Sequence, residues 1–225
     1  LFRVSFGRPF FLSINIMPIP ASSESPELKA INQILSSIGQ APVTDLNQTN
    51  PDVAIAYNTL LEVSSDVQSE GWTFNKDFDV KVYPQSDQTI PWGEDILEMN
   101  ISQDPTKIER ALHKTVKREG KVWDRQNQTF LFPKEWYYFD IMRLYNFEDL
   151  PIPIKDYVVA KAASRVSQRI IGDATQYQML QQQEAVCRAY ALEYECNQGA
   201  YSFFGDPKTG TNYIPYSPYE TLRRY

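Results

Sequence analysis

The chain has 225 residues, which is long enough for one large domain or two small ones with a substantial apolar core. Its composition, 42% hydrophobic and 22% charged, is typical of a soluble protein, and no apolar run approaches the roughly 18 residues that a membrane-spanning helix needs. The net charge of −6 argues against a dedicated duplex-binding domain, because such domains are usually basic.

Residues 1–21 are predicted to form an N-terminal extension. Arg8 and Pro9 interrupt its apolar run, so the stretch lacks the continuous apolar core of a signal peptide. We interpret the residues before Met17 as an arm that precedes an ordinary starting methionine. We expect this arm to lie on a neighbouring subunit.

Two helices are predicted to follow this extension. The first covers residues 26–38 behind a Ser25 cap, and the second covers residues 51–70 behind an Asn50 cap. Each has a proline in its first turn, where the missing N–H costs nothing. Gly71 is placed to end the second helix in a left-handed conformation.

Beyond these helices the apolar residues alternate as in a strand. The chain is expected to leave the second helix directly as a strand at Trp72 and Phe74. Short strands separated by turn signals indicate an antiparallel sheet. They are predicted at residues 78–82, 96–101, 122–132 (two strands joined through 124–128) and 136–144.

Residues 104–116 carry conflicting signals. An Asp-Pro pair opens the segment, and apolar residues follow it at helical spacing. The lysines and arginine on either side of Gly120 are equally compatible with a hairpin turn. We favour a short helix that runs into a strand.

Two long helices are predicted towards the end of the chain, at residues 153–172 and 173–197. Cys187 and Cys196 both fall in the second. On one continuous helix their Cα atoms would be about 13 Å apart, whereas a disulfide allows about 7 Å. We therefore expect free thiols, a reducing compartment and synthesis in a cytoplasm.

These elements predict an α+β fold, a helical bundle with an inserted antiparallel sheet. We divide a single compact domain into an N-terminal extension (1–21), a helical layer (22–71 and 151–197), an antiparallel β region (72–150) and an aromatic C-terminal arm (198–225). The arm is too apolar for a free tail and too often broken by glycine and proline for a regular element, so we expect it to bind something.

Four blocks of sequence resemble the tail tubular protein A family of short-tailed bacteriophages. The first is NPDVAIAYNTLLEVSSDVQSEGWTFN, which is similar to the family's N-P-D-V…V…Q-x-x-G-W-x-F-N pattern. The others, in the same order as in the family, are GKVWDRQNQTF, FEDLPIPIKDYVVAKAASRVSQRIIGD and YIPYSPYETLRRY. The resemblance spans about residues 26–224; the extension before Met17 and the helix-like segment 104–116 depart from it.

The resemblance implies a structural virion protein of the tail, made in the cytoplasm of a bacterial host. Members form a homo-oligomeric ring of about twelve copies beneath the portal protein. They hold the tail nozzle protein and help to anchor tail fibres, while DNA passes through the centre without specific binding. Some relatives have been proposed to hydrolyse peptidoglycan, so a tail-associated hydrolase is the alternative. A soluble oligomerising domain of unknown use is a third hypothesis.

The residues themselves offer little chemistry, and we predict no catalytic, cofactor or metal site. The single His113 has no obvious Asp or Ser partner and is expected at a solvated surface. A glycosidase would need two carboxylates roughly 5–10 Å apart in a cleft. Paired acids are more often exposed surface residues than catalytic groups. The candidates are Glu94, Asp95, Glu98, Glu193 and Glu195.

Two groups of residues are candidate partner-binding sites. The first is a basic cluster in an acidic chain, expected to be either a solvated hairpin or a subunit or fibre contact that pairs with acids such as Glu94 or Asp95 of a neighbour. A grip on DNA is the third alternative, which we disfavour because a conduit for a sliding polyanion works best when binding is weak. The second is the C-terminal arm, which either packs on its own helices or docks on the portal or an adjacent copy. The candidate residues are Lys117, Arg118, Lys121 and Arg125 in the cluster, with Arg110 and Lys114 beside them, and Tyr213, Tyr216, Tyr219, Arg223, Arg224 and Tyr225 in the arm.

Overall fold

A computed structural model of the protein describes residues 25–46, 50–102 and 113–199. Its elements, in chain order, are helices α1 (Pro26–Ser37) and α2 (Pro51–Ser69), strands β1 (Lys76–Val82), β2 (Ile96–Ser102), β3 (His113–Arg118), β4 (Lys121–Asp124) and β5 (Tyr137–Arg143), and helices α3 (Ile152–Ile170) and α4 (Ala174–Gly199). The predicted α+β class is confirmed. The N-terminal extension, Arg110 and the arm from residue 200 onwards lie outside the described residues.

The first two helices begin where their caps were predicted. The Ser25 hydroxyl accepts a hydrogen bond from the N–H of Leu28 at 3.2 Å, and the Asn50 side chain accepts one from the N–H of Asp52 at 3.0 Å. Each bond satisfies an N–H that lacks a partner inside its helix. After α2, Gly71 adopts the left-handed φ of +78° expected of a residue that ends a helix.

The five strands form one antiparallel sheet in the order β1-β5-β2-β3-β4. Edge strand β1 contains a bulge between Asp77 and Val80, where Asp79 has a φ of +55° and its N–H bonds the carboxylate of Asp140 at 3.0 Å. A bulge of this kind twists an edge strand and so discourages further pairing along that edge.

The expected helix over residues 104–116 is wrong where the structure describes it, because residues 113–118 form β3. Thr115 is buried and its hydroxyl donates to the carbonyl of Met99 in β2. β3 and β4 are joined by Glu119 and Gly120, which both have positive φ, as a two-residue turn requires. The hairpin interpretation of this basic segment is therefore correct. Residues 104–112 lie outside the described chain.

Two further strand predictions need correction. Thr73–Asn75 is a turn of 3₁₀ helix, so β1 starts only at Lys76. The partner of β4 is β3, and residues 128–132 contribute just a bridge between Asp124 and Thr129. Beyond this bridge, Phe132 donates its N–H to Gln88 in the preceding loop at 2.8 Å.

The buried apolar side chains form two cores. The larger lies among the helices and includes Leu60, Tyr157 and Val166, each fully buried. The smaller belongs to the sheet and is built around Met99 and Phe139. α3 lies at the centre of the helical part, in contact with α1, α2 and α4.

Gly71 can be compared directly with Gly172, since both have a left-handed φ (+78° and +70°). A Cβ at Gly71 would lie 2.8 Å from the side chains of both Lys76 and Met142, whereas a Cβ at Gly172 would meet nothing within 4 Å. Gly71→Ala should lower the free energy of unfolding by about 2 kcal/mol and Gly172→Ala by about 1 kcal/mol, because both strain the backbone and only the first pushes the Lys76 ammonium away from its 2.8 Å hydrogen bond to the Gly71 carbonyl. Urea unfolding of both variants measures the difference, and equal losses would contradict the steric contribution.

Candidate functional site

A buried polar network connects the helical core to the sheet at the end of α2, and we call it the joint. Its centre is Gln68, which has no exposed surface. The Gln68 side chain donates to the carbonyl of Tyr145 at 2.9 Å and accepts from the N–H of the same residue at 2.8 Å. It thereby satisfies both backbone polar groups of a residue that follows β5, and fixes that residue to α2.

Asn75, the residue just before β1, completes the joint. Its side-chain amide donates to the carbonyls of Gln68 at 2.9 Å and Arg143 at 3.1 Å, and its side-chain oxygen accepts the N–H of Trp72 at 2.9 Å. One side chain thus holds the ends of α2, β1 and β5 together. Asn75 is also fully buried, so these bonds are shielded from water.

The aromatic and acidic side chains around the joint add contacts to α3 and α4. The ring of Trp72 lies edge-on to Tyr157 of α3 with 6.5 Å between centroids, and its indole N–H donates to the carbonyl of Val67 at 2.7 Å. The carboxylate of Glu195 in α4 accepts from both the N–H (3.0 Å) and the hydroxyl (2.8 Å) of Thr73. Five elements (α2, β1, β5, α3 and α4) therefore meet at this point.

The basic residues predicted to form one cluster lie on and just beyond the β3–β4 hairpin. Lys117, Arg118 and Arg125 are exposed, and Lys121 is half-buried. The guanidinium of Arg118 lies 4.8 Å from the centroid of the Trp123 ring. The ammonium of Lys121 forms an ion pair with Asp87 at 3.2 Å, so its charge is already paired within the chain.

Asp87 has a carboxyl group whose pKa is lowered from the usual 3.8 to about 2. Hydrogen bonds from the hydroxyl and the N–H of Thr89 are its main causes, followed by the bond and charge of Lys121. Each favours the ionised form. The ionised Asp87 carboxylate therefore has a structural role, because it holds its own loop to β4 through Thr89 and Lys121.

Most of the acids nominated as catalytic have identifiable partners. Asp95 pairs with Arg143 at 2.6 Å, Glu98 accepts from the side chain of Asn100 at 2.7 Å, and Glu195 belongs to the joint. Glu94 and Glu193 are exposed. The described residues contain no group of three or more His, Cys, Asp or Glu side chains that could hold a metal ion. His113 opens β3, and its side chain lies outside what the structure describes.

A groove of about 900 Å³ runs between α1, α3 and α4. Its floor is apolar, with Val159, Ala160 and Ala163 of α3, and Tyr190 and Leu180 stand on the α4 side. Two exposed carboxylates, Asp156 and Glu193, lie on its walls, while the described lining contains no lysine or arginine. Cys187 also lines the groove as a free thiol, and its pKa is raised by burial and by the charge of Asp156.

Sequence reasoning missed both the hydrogen bonds of the joint and the groove. Gln68, Gly71, Trp72 and Asn75 do stand in the Q-x-x-G-W-x-F-N pattern, so the pattern was the available signal for the joint. Tyr145 lies 77 residues from Gln68 and Arg143 lies 68 residues from Asn75, so no local pattern identifies these two partners. Of the two candidate partner-binding groups, the structure describes only the basic one; the predicted arm residues Tyr213, Tyr216, Tyr219, Arg223, Arg224 and Tyr225 lie outside it.

The chain is similar to known proteins of phage tails. The family model described as "Tail tubular protein" matches residues 28–201, which include both cores and the joint. A tail tubular protein A of Klebsiella phage KP34 is 28% identical over 155 residues, covering 67% of this chain and 76% of that protein. Within the described residues, no helix is long and apolar enough to cross a membrane.

Proposed function

The chain belongs to the tail tubular protein family, and from this premise we propose that it builds the adaptor ring between the portal and the tail nozzle of a short-tailed bacteriophage. It is a structural component of the phage tail. The ring contains about twelve copies, is a platform for tail fibres, and surrounds a conduit through which DNA is ejected without specific binding. The observation that carries this proposal is the family match over residues 28–201.

In this ring, the helical layer (22–71 and 151–197) packs around the circumference and the β region (72–150) meets the nozzle or fibres. The joint supports this arrangement, because its buried hydrogen bonds hold the two cores in a fixed relation. A subunit that must keep its shape while DNA moves past it benefits from such a fixed relation. Residues 1–16 are proposed to lie on the neighbouring copy.

The β3–β4 hairpin supplies a contact to a neighbouring subunit or fibre through Lys117, Arg118 and Arg125, with Lys121 beside them. Their exposure supports this contact, since exposed charges of one sign attract an oppositely charged surface and so speed association. Glu94 is the better acidic partner on a neighbour, because it is exposed whereas Asp95 is already bound by Arg143.

The role is mechanical, without catalysis. Support comes from Asp95, Glu98 and Glu195, which hold neighbouring residues in place within the chain. No observation among the described residues favours the peptidoglycan hydrolase alternative. Synthesis takes place in the cytoplasm of the host, which suits two free cysteines.

Deleting residues 212–225 tests the part of the proposal that concerns the arm. The aromatic residues and arginines of this segment are proposed as anchors on the portal or an adjacent copy. We expect the deletion to abolish assembly of the ring on the portal, measured by size-exclusion chromatography of the two proteins together, while circular dichroism and the melting temperature of the free chain stay unchanged. Normal assembly by a deleted chain would contradict the anchoring role.

A further inference from the structure

We propose that the groove between α1, α3 and α4 binds the C-terminal segment, residues 213–225, of the adjacent copy in the ring. This inference deepens the proposed function and rests on it, because it names the contact by which one subunit holds the next. The groove has a volume of about 900 Å³ and belongs to the helical layer.

The groove has the surface of a peptide-binding site. Its floor is formed by small and apolar residues of α3, so an incoming side chain can approach the helix closely. On α4, Met179, Val186 and Tyr190 are spaced by seven and four residues, which places them on one stripe of the helix, and Tyr190 of this stripe lines the groove. Their exposed fractions are 68%, 52% and 61%, and Ala191 is the one α4 side chain that is buried in the described chain. Such an apolar stripe beside a groove is typical of an interaction surface.

The acidic character of the groove indicates which segment binds in it. The groove walls carry Asp156 and Glu193 and, in the described lining, no basic residue. The C-terminal segment YIPYSPYETLRRY contains four tyrosines and two adjacent arginines against a single glutamate. Tyrosine and arginine are the residues that most often anchor an interface, since each combines a large contact area with hydrogen bonding. The segment thus matches the groove in both hydrophobicity and charge.

Chain length permits this contact. α4 ends at Gly199, and Asn197 of its last turn lies at the groove. Residues 200–212 lead from there to the segment and span at most about 43 Å when extended. Each copy contributes this groove and one C-terminal segment. In a closed ring where every segment binds the groove of the next copy, no groove stays empty and no segment stays unbound.

Disulfide trapping in the full-length chain tests the contact. Cys187 supplies a natural thiol in the groove, and Tyr219→Cys in a Cys196→Ser background supplies one in the segment. Because the pKa of Cys187 is raised, oxidation is carried out at about pH 9. We expect a bond between Cys187 and position 219 of another chain, seen as covalent multimers on a non-reducing gel and assigned by peptide mass mapping. Ser86→Cys, at an exposed loop position on the sheet side, is the matched control for random collision.

Charge reversal then tests the pairing. Glu193→Lys should lower the trapping yield about threefold, and adding Arg223→Glu with Arg224→Glu should restore it. Glu193 is chosen because it is exposed and because changing Asp156 would alter the pKa of Cys187. A yield equal to that of Ser86→Cys, a bond formed within one chain, or a yield indifferent to these charges would overturn the inference. The native mass of the same sample, measured with the portal protein of its phage present, separates the two proposals. A ring without the bond overturns this inference alone, whereas a chain that stays monomeric beside the portal overturns the adaptor ring as well.

Discussion

Replacing Trp72 with alanine should lower the free energy of unfolding by about 4 kcal/mol. The side chain is 3% exposed, packs edge-on against Tyr157 and donates to the carbonyl of Val67. Removing it opens a cavity in the helical core next to the joint and breaks a buried hydrogen bond. Urea denaturation followed by circular dichroism measures the loss. The slope of the free energy of unfolding against urea concentration should stay unchanged.

Trp136→Ala is the matched control for this prediction. Trp136 is 39% exposed, and its ring lies 3.9 Å from the ammonium of Lys81, a contact that is worth about 1 kcal/mol or less at an exposed site. We expect a loss of no more than about 1 kcal/mol for this variant. If the two alanine variants unfold at the same urea concentration, Trp72 does not have the central packing role that its burial indicates.

Replacing Asn75 with alanine should lower the free energy of unfolding by about 3 kcal/mol. The substitution removes hydrogen bonds to Gln68, Arg143 and Trp72, and it leaves their buried backbone groups without these partners. The cost of unpaired buried groups exceeds the net gain from an ordinary hydrogen bond, so a small side chain has a large effect here. Equilibrium urea unfolding, with the wild-type chain as reference, gives the value.

Asn100→Ala separates the effect of the joint from that of losing any asparagine. The Asn100 amide donates to Glu98 in an exposed bond, and its removal should change the free energy of unfolding by less than about 0.5 kcal/mol.

Asn75→Ala should also weaken the link between the two cores, so hydrogen exchange at β1 and β5 should accelerate more than exchange within α3. Uniform acceleration in all three elements would contradict a role for Asn75 at the joint.

The helices could be predicted from the sequence because their signals are local. Ser25, Asn50 and Gly71 each act within a few residues of the helix end that they mark, and the structure places all three as expected. The resemblance to tail tubular proteins, found in part on the residues of the joint, is likewise confirmed.

The strands were harder to predict, because their pairing joins distant parts of the chain. Residues 113–116 have helical spacing, yet Thr115 is bonded to Met99, and pairing with β2 and β4 prevails over local preference. Asp124 ends β4 in a turn, with its carboxylate accepting from the N–H of Gln126 at 2.8 Å, and a second strand after it does not form. The joint and the groove depend on contacts of the same long-range kind.

The native mass of the full-length chain mixed with the portal protein of its phage tests the adaptor ring most directly. One chain has a mass of 26.0 kDa, so about twelve copies add about 310 kDa to the mass of the portal. We expect a complex heavier than the portal by this amount. A chain that remains a 26.0 kDa monomer beside an unchanged portal would contradict it.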